Sequence, residues 1–251
     1  MIWSDEMFKT KKFKELEKQN EFLQNKLKSV SIFPLRVIEN VDELIEEECF
    51  DTVKYLIRTL TDYLTLKEAT HCLIVKNTHS IEKNDDLLTE IFRLTMYSDL
   101  KYQTKVCSLN YSISDLNLIL NTWNEVRIVS NLTNINKKNI LHPCSNIKNF
   151  YIYPLDVVIC GGGNHSQFSA KLRQEGETHI SEIIDISNLY TEITFDGENF
   201  IDSNNEIIKS CENEGEKIIG VLYEIGRLLR KNQNIIEKYF DKEIIEEIKN
   251  E

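Results

Sequence analysis

Between residues 155 and 186 the chain reads LDVVICGGGNHSQFSAKLRQEGETHISEIIDI, and its most chemically capable residues stand together there. An apolar run, Val157 to Cys160, meets Gly161, Gly162 and Gly163, then Asn164, His165 and Ser166. A strand that stops at glycines and turns into a helix leaves backbone N–H groups unpaired at the helix N-terminus, a geometry that binds anions and phosphate above all. The glycines would let a ligand approach the backbone without a Cβ in the way. Asn164 and His165 add side-chain donors, and Ser166 is placed to cap the helix or to donate to a phosphate oxygen. His165 is the residue expected to act on the ligand. Near the positive end of a helix its imidazole should resist protonation until an anion arrives. Arg173, on the same helix, and Arg227, in the later Glu224-Ile225-Gly226-Arg227 run, are the cations expected to complete the site. Lys171 is an alternative to Arg173. Cys160 abuts the glycines, but an apolar strand raises a thiol's pKa and favours a structural role.

The elements that must position these residues can be read from periodicity. Residues 5–29 are rich in Lys and Glu, with Phe13, Leu16, Leu23 and Leu27 near a heptad spacing and Asn20 on the same seam, a helical arm able to pack or dimerise. Ile32 to Ile38, broken by Pro34, suggests an edge strand or connector. Val41 to Lys67 repeats its apolar residues every three to four positions, as one helix or two, with an acidic start. Asp85 to Met96 reads as a helix, as does the stretch from Ser114 to Trp123, capped at Ser114. Residues 130–149 hold six asparagines and Pro143 and read as a linker. Phe150–Tyr153 and Val157–Cys160 are β-like, Ile193 to Ile201 carries a hairpin signature around Asp196-Gly197, and 217–231 and 234–249 are helical. The expected fold class is α+β: a small mixed sheet with a strand–glycine turn–helix–strand unit, flanked by helices at both ends. The expected divisions are an arm at 1–31, a mainly helical region at 32–129, the linker at 130–149, the core at 150–211 and C-terminal helices at 212–251, all in one globular unit.

Composition narrows the function classes. Forty-one acidic against 30 basic residues give a net charge of −11. That opposes general nucleic-acid binding, which rests on basic residues displacing counterions. A local basic stretch at 125–150 (Arg127, Lys137, Lys138, Lys148) is read as ordinary surface. No run approaches about 18 apolar residues, so no membrane span is expected. Six scattered cysteines without Cys-x-x-C and five histidines without ligand spacing fit a cytoplasmic protein with reduced thiols and no metal site.

Several known motifs come near the glycine turn. No Gly-Lys-Ser/Thr follows the glycines, so it is not a P-loop, and the Gly-x-Ser-x-Gly elbow of hydrolases is absent. Gly161, Gly163, Ala170 and Asp185 resemble the dinucleotide fingerprint, but Ser166 replaces its third glycine and too few β-α units follow. Gly162-Gly163-Asn164-His165-Ser166 resembles the Gly-Gly-Asp-His-Ser of arginases and agmatinases, but the Asp-x-His-x-Asp that supplies the other metal ligands is missing. Strand, Gly163-Asn164-His165, helix, strand resembles the phosphate-binding core shared by ParB partition proteins and sulfiredoxin, with Ala170 at its small position. That resemblance covers about 35 residues and implies that Gly163 and His165 contact phosphates of a nucleotide. The family's phosphate-contacting Arg is Ser166 here, and sulfiredoxin's catalytic cysteine is Asn164. The Gly-Gly-Asn-His-Ser core with Glu-Gly and the later Glu-Ile-Gly-Arg also looks like an uncharacterised bacterial family, which implies no known activity. The expectation is therefore a phosphate-bearing small ligand, a nucleotide with Mg²⁺, bound at the turn, with hydrolysis or transfer as the reaction. The alternative is a non-enzymatic interaction protein. Its glycine-free helical half docks a protein partner or a second copy, and its glycine corner is structural.

Overall fold

In the computed structural model, which describes residues 34–74, 102–231 and 233–249 with Lys18, Thr89, Ile91 and Leu94, one buried stripe organises the N-terminal half. Val53, Ile57, Thr61, Thr65, Ala69 and Cys72 recur at three- to four-residue spacing along helix α2 (Phe50–Ile74) and face the sheet. Helix α1 (residues 34–46) precedes it across a turn in which Glu48 takes a positive φ. Pro34 is therefore helical and not part of an edge strand. Proline lacks the N–H that a first helical turn leaves unused, so it is tolerated there. The arm at 1–31 lies outside the described residues, Lys18 excepted, which is helical and exposed.

The five-stranded sheet has the order β1-β5-β3-β4-β2, from β1 (Gln103–Ser112), β2 (Leu118–Ile119), β3 (Lys148–Tyr153), β4 (Val157–Gly162) and β5 (Glu177–Asp185). β3 pairs antiparallel with β4 and parallel with β5, β1 is antiparallel to β5, and β2 is parallel to β4. A small antiparallel sheet, β6 (Thr194–Phe195), β7 (Asn199–Ile201) and β8 (Ile207–Ser210), contains the expected hairpin, with Gly197 at φ 100°. Helices α3 (Glu125–Asn134), α4 (Asn164–Arg173), α5 (Glu214–Leu229), α6 (Gln233–Tyr239) and α7 (Lys242–Lys249) complete an α+β fold.

Three expectations are corrected. The region 32–129 supplies two of the five strands, so the sheet is not confined to 150–211. Residues 114–123 are not a helix. Ile113–Asp115 is a single 3₁₀ turn, and Leu118, Ile119 and Leu120 are buried as β2 and its exit. The linker at 130–149 begins inside α3, whose Asn124 cap accepts the Arg127 N–H.

A buried carboxylate ties the layers together. Asp156, at φ 55° in the β3–β4 turn, accepts Tyr151 OH at 2.8 Å and Tyr239 OH at 2.9 Å. The Asn117 amide donates to its carboxylate at 3.1 Å and to its backbone carbonyl at 2.9 Å. Burial pushes the Asp156 pKa up, while the two tyrosines and the nearby Lys54 and Arg58 charges pull it back. One side chain thus joins the sheet, the approach to β2 and the C-terminal helix α6. On the opposite side of β2, Thr65 of α2 donates to Leu118 O (3.3 Å) and accepts the Leu120 N–H (3.1 Å).

Candidate functional site

The glycine turn forms where expected, at the end of β4. Gly163 is the N-cap of α4 and sits at φ 79°, ψ 20°, a left-handed conformation that strains other residues. The spaces beside the glycines are filled by the chain itself. A Cβ on Gly162 would stand 2.6 Å from Asn146 O, and one on Gly161 2.5 Å from the Phe150 ring. One on Gly163 would meet Ile147 at 3.2 Å. The glycines let β3 and the 146–147 loop close against β4.

The polar side chains are likewise engaged. Asn164 Oδ1 accepts the Asn121 N–H at 2.8 Å, and its amide donates to Cys160 O at 3.4 Å. His165 Nε2 accepts the Asn124 N–H at 3.2 Å, which requires that nitrogen to be unprotonated, and the ring packs edge-on against Trp123. Burial is the main reason the His165 pKa lies below the usual histidine value, with the Arg127 charge second. Ser166 is not the cap. It is the third helical residue, and its hydroxyl donates to Gly163 O at 3.0 Å. Asn164 and His165 therefore pin residues 121–124 to the start of α4.

Beneath the turn lies a polar network that periodicity did not reveal. The buried Gln167 amide donates to Asn149 Oδ1 (3.0 Å), Cys160 Sγ (2.9 Å) and Gly162 O (3.0 Å). Its oxygen accepts from Thr178 at 2.6 Å, and Asn149 donates to Thr178 and to His179 O. The sequence signal was faint, because Asn149 and Thr178 stand beside other polar residues in β3 and β5, and only the fold buries these two fully. Burial pushes the Cys160 thiol up to about 12, in keeping with a structural role.

The expected cations are not at the turn. Arg173 ends α4, about 13 Å along the axis from Asn164 at 1.5 Å per residue, and donates to Leu132 O at 2.9 Å. Lys171, also in the last turn, pairs with Asp62 at 2.7 Å. Arg227 pairs with Glu224 at 2.5 Å, and Glu224, which is buried, also accepts the Phe195 N–H. The neighbouring Gly226 packs on Leu155, in the turn at the far end of β4, about 20 Å from Gly162 along an extended strand. Arg127, which the sequence reading placed on ordinary surface, is the cation whose charge reaches His165.

The strands on either side of α4 run antiparallel, since β4 and β5 flank β3 in opposite senses. The helix thus returns to the end of the sheet from which it left, unlike a parallel crossover.

A separate groove of about 740 Å³ opens between α1, α2 and the start of α5. Val37, Leu60, Ile218 and Val221 give it an apolar floor, and Tyr63, Glu212, Glu214 and Lys217 a polar rim. Tyr63 OH donates to the Glu214 carboxylate, and Asn213 and Glu216 form a reciprocal capping box that fixes the helix start. The volume falls in the range of ligand and peptide sites. Among the described residues no group of three His, Cys, Asp or Glu is arranged to hold a metal, and no helix is long and apolar enough to cross a membrane.

No curated protein and no solved structure matches the chain. A family model matches residues 8–236, and the chain belongs to that family, a family of unknown function designated DUF6710.

Proposed function

We propose that this chain is a protein-interaction module in which the glycine corner is a structural device and the α1–α2–α5 groove is the docking site. One observation carries the reading. The space beside each glycine and the side chains of Asn164, His165 and Ser166 are already taken by the chain's own atoms. A formed apolar cavity lies elsewhere, on the helical side that precedes the first glycine and on α5.

A phosphate-bearing ligand at the turn, a nucleotide with Mg²⁺ open to hydrolysis or transfer, is the second reading. It is favoured by the side-chain-free N-cap, which leaves the first-turn N–H groups of α4 without a capping oxygen, and by Arg127 beside His165.

A thermal-shift series with inorganic phosphate, ADP and ATP, with and without Mg²⁺, separates the two. A ligand at a hundredfold excess over its Kd stabilises by about 2.7 kcal/mol, or about 5–10 °C for a chain of this size. The interaction reading expects no such shift. It also expects the partner captured by the wild-type chain to be lost by Ile218→Glu, with melting temperature retained. A nucleotide-dependent rise that His165→Gln abolishes would overturn it in favour of the second reading.

A further inference from the structure

The groove's first occupant can be argued from the chain itself. Pro34, where the continuous described chain begins, is one of the groove's lining residues, so the described fold starts at the groove's rim. The four residues 30–33 span at most about 14 Å when extended, enough for residues 29 and earlier to turn back over the floor. Residues 5–29 carry seven lysines against five acids, in a chain whose net charge is −11. The groove's rim at the start of α5 presents Glu212 and Glu214. Phe13, Leu16, Leu23 and Leu27 repeat at the a and d positions of a heptad, a narrow stripe suited to a seam between helices. With Phe13 at a, Lys18 falls at f, opposite that stripe, and Lys18 is helical and exposed.

We propose that the α1–α2–α5 groove is occupied in cis by the chain's own N-terminal segment, residues 5–29, with the stripe on the apolar floor and lysines beside Glu212 and Glu214. This rests on the groove being a docking site and adds that an external partner must displace the segment.

The test is zero-length carbodiimide crosslinking of the full-length chain, read by mass spectrometry on an equimolar mixture of ¹⁴N- and ¹⁵N-labelled protein. Bonds between lysines of the segment and Glu212 or Glu214, within single-isotope chains, are expected. Leu23→Glu, which alters only the segment, should reduce them at least about fivefold with the melting temperature of the remainder unchanged. Ile218→Glu should do the same from the groove side, and if it fails to fold the segment variant alone decides. Absence of these crosslinks, or insensitivity to Leu23→Glu, overturns the proposal. Mixed-isotope crosslinks at the share that random pairing of two copies gives overturn it in favour of a second copy as occupant. If the crosslinks are absent but Ile218→Glu still loses a captured partner, only the cis occupant falls. If that partner is indifferent to Ile218→Glu as well, the groove reading falls with it.

Discussion

Replacing Asp156 by Ala removes the acceptor shared by two buried tyrosine hydroxyls and the Asn117 amide. Tyr151 and Tyr239 are 3% and 2% exposed, so neither hydroxyl can turn to bulk water without moving its ring. Three donors at a net of about 1–1.5 kcal/mol each amount to about 3–4 kcal/mol. Alanine at φ 55° adds about 1 kcal/mol of backbone strain that Asp tolerates better. Relief of the carboxylate's burial offsets part of this, leaving an expected loss of about 3–4 kcal/mol. That is a large share of a total stability of about 5–15 kcal/mol. In urea, with a slope of about 3 kcal/mol per M, the midpoint should fall by more than about 1 M. Asp156→Gly should recover about 1 kcal/mol relative to Ala, because it frees the backbone without restoring the acceptor. Tyr239→Phe should cost about 1 kcal/mol and couple to Asp156→Ala in a double-mutant cycle. Because the folded pKa of Asp156 is raised above its unfolded value of 3.8, its protonated form is favoured in the fold. That contribution is complete below the unfolded value and is lost as pH rises through the folded one. The advantage of wild type over Asp156→Asn should therefore shrink as pH rises from about 4. A midpoint shift below about 0.3 M for Asp156→Ala would mean that the three donors find other partners, and the carboxylate would not be the tie described.

His165 should behave as a histidine held neutral. Its folded pKa lies below the unfolded value of 6.5, so its contribution is complete above that pH and is lost as pH falls through the folded pKa. Wild type should lose more stability than His165→Gln between about pH 6.5 and 5 in urea titrations, and parallel profiles would refute the assignment. Gly162→Ala should destabilise more than Gly163→Ala. The first drives a Cβ to 2.6 Å from a backbone oxygen, while the second adds a left-handed strain of about 1–2 kcal/mol and a softer 3.2 Å contact with Ile147. Equal or negligible losses would show that the turn can open. A thiol reagent at pH 8 should modify exposed Cys49 and Cys144 at once and spare Cys160 until unfolding, because only the thiolate reacts and its pKa is about 12. Early labelling of Cys160, located by peptide mapping, would count against the buried network.

What could be read from residue order followed the physics of each element. β3 and β4 were legible because they are nearly continuous apolar runs, as strands covered on both faces should be. α2 was legible from its four-residue repeat. β1 was missed although Cys107, Leu109 and Tyr111 alternate inward. Polar Lys105 on its inner face and apolar Val106 on its outer face break the period at the start of the strand. Residues 114–123 looked helical because Leu116, Ile119, Leu120 and Trp123 also fit a 3.6-residue period, and short apolar runs do not distinguish the two structures. At the glycine turn, residue types disclosed the bend but put the cap at Ser166, a position that Gly163 holds. They could not disclose that Asn146, Ile147 and Phe150 would fill the space a ligand was expected to use, because those contacts are tertiary. Arg227 was assigned by charge type alone, and the length of β4 separates it from the turn.

The Thr65 hydroxyl has a consequence for how wide the sheet can grow. In a parallel sheet, the carbonyl of one residue and the amide two places on form the pair that the next strand would bind. On β2 that pair is Leu118 O and Leu120 N–H, and a helix side chain holds both. Thr65 thus acts as a single-residue substitute for a sixth strand. It satisfies the ladder while closing this margin to strand addition. Among the described residues, lateral association of this five-stranded sheet through backbone pairing is left to the β1 margin, where the register shift between Val106 and Leu109 interrupts the ladder and Lys105 is tied to Glu247.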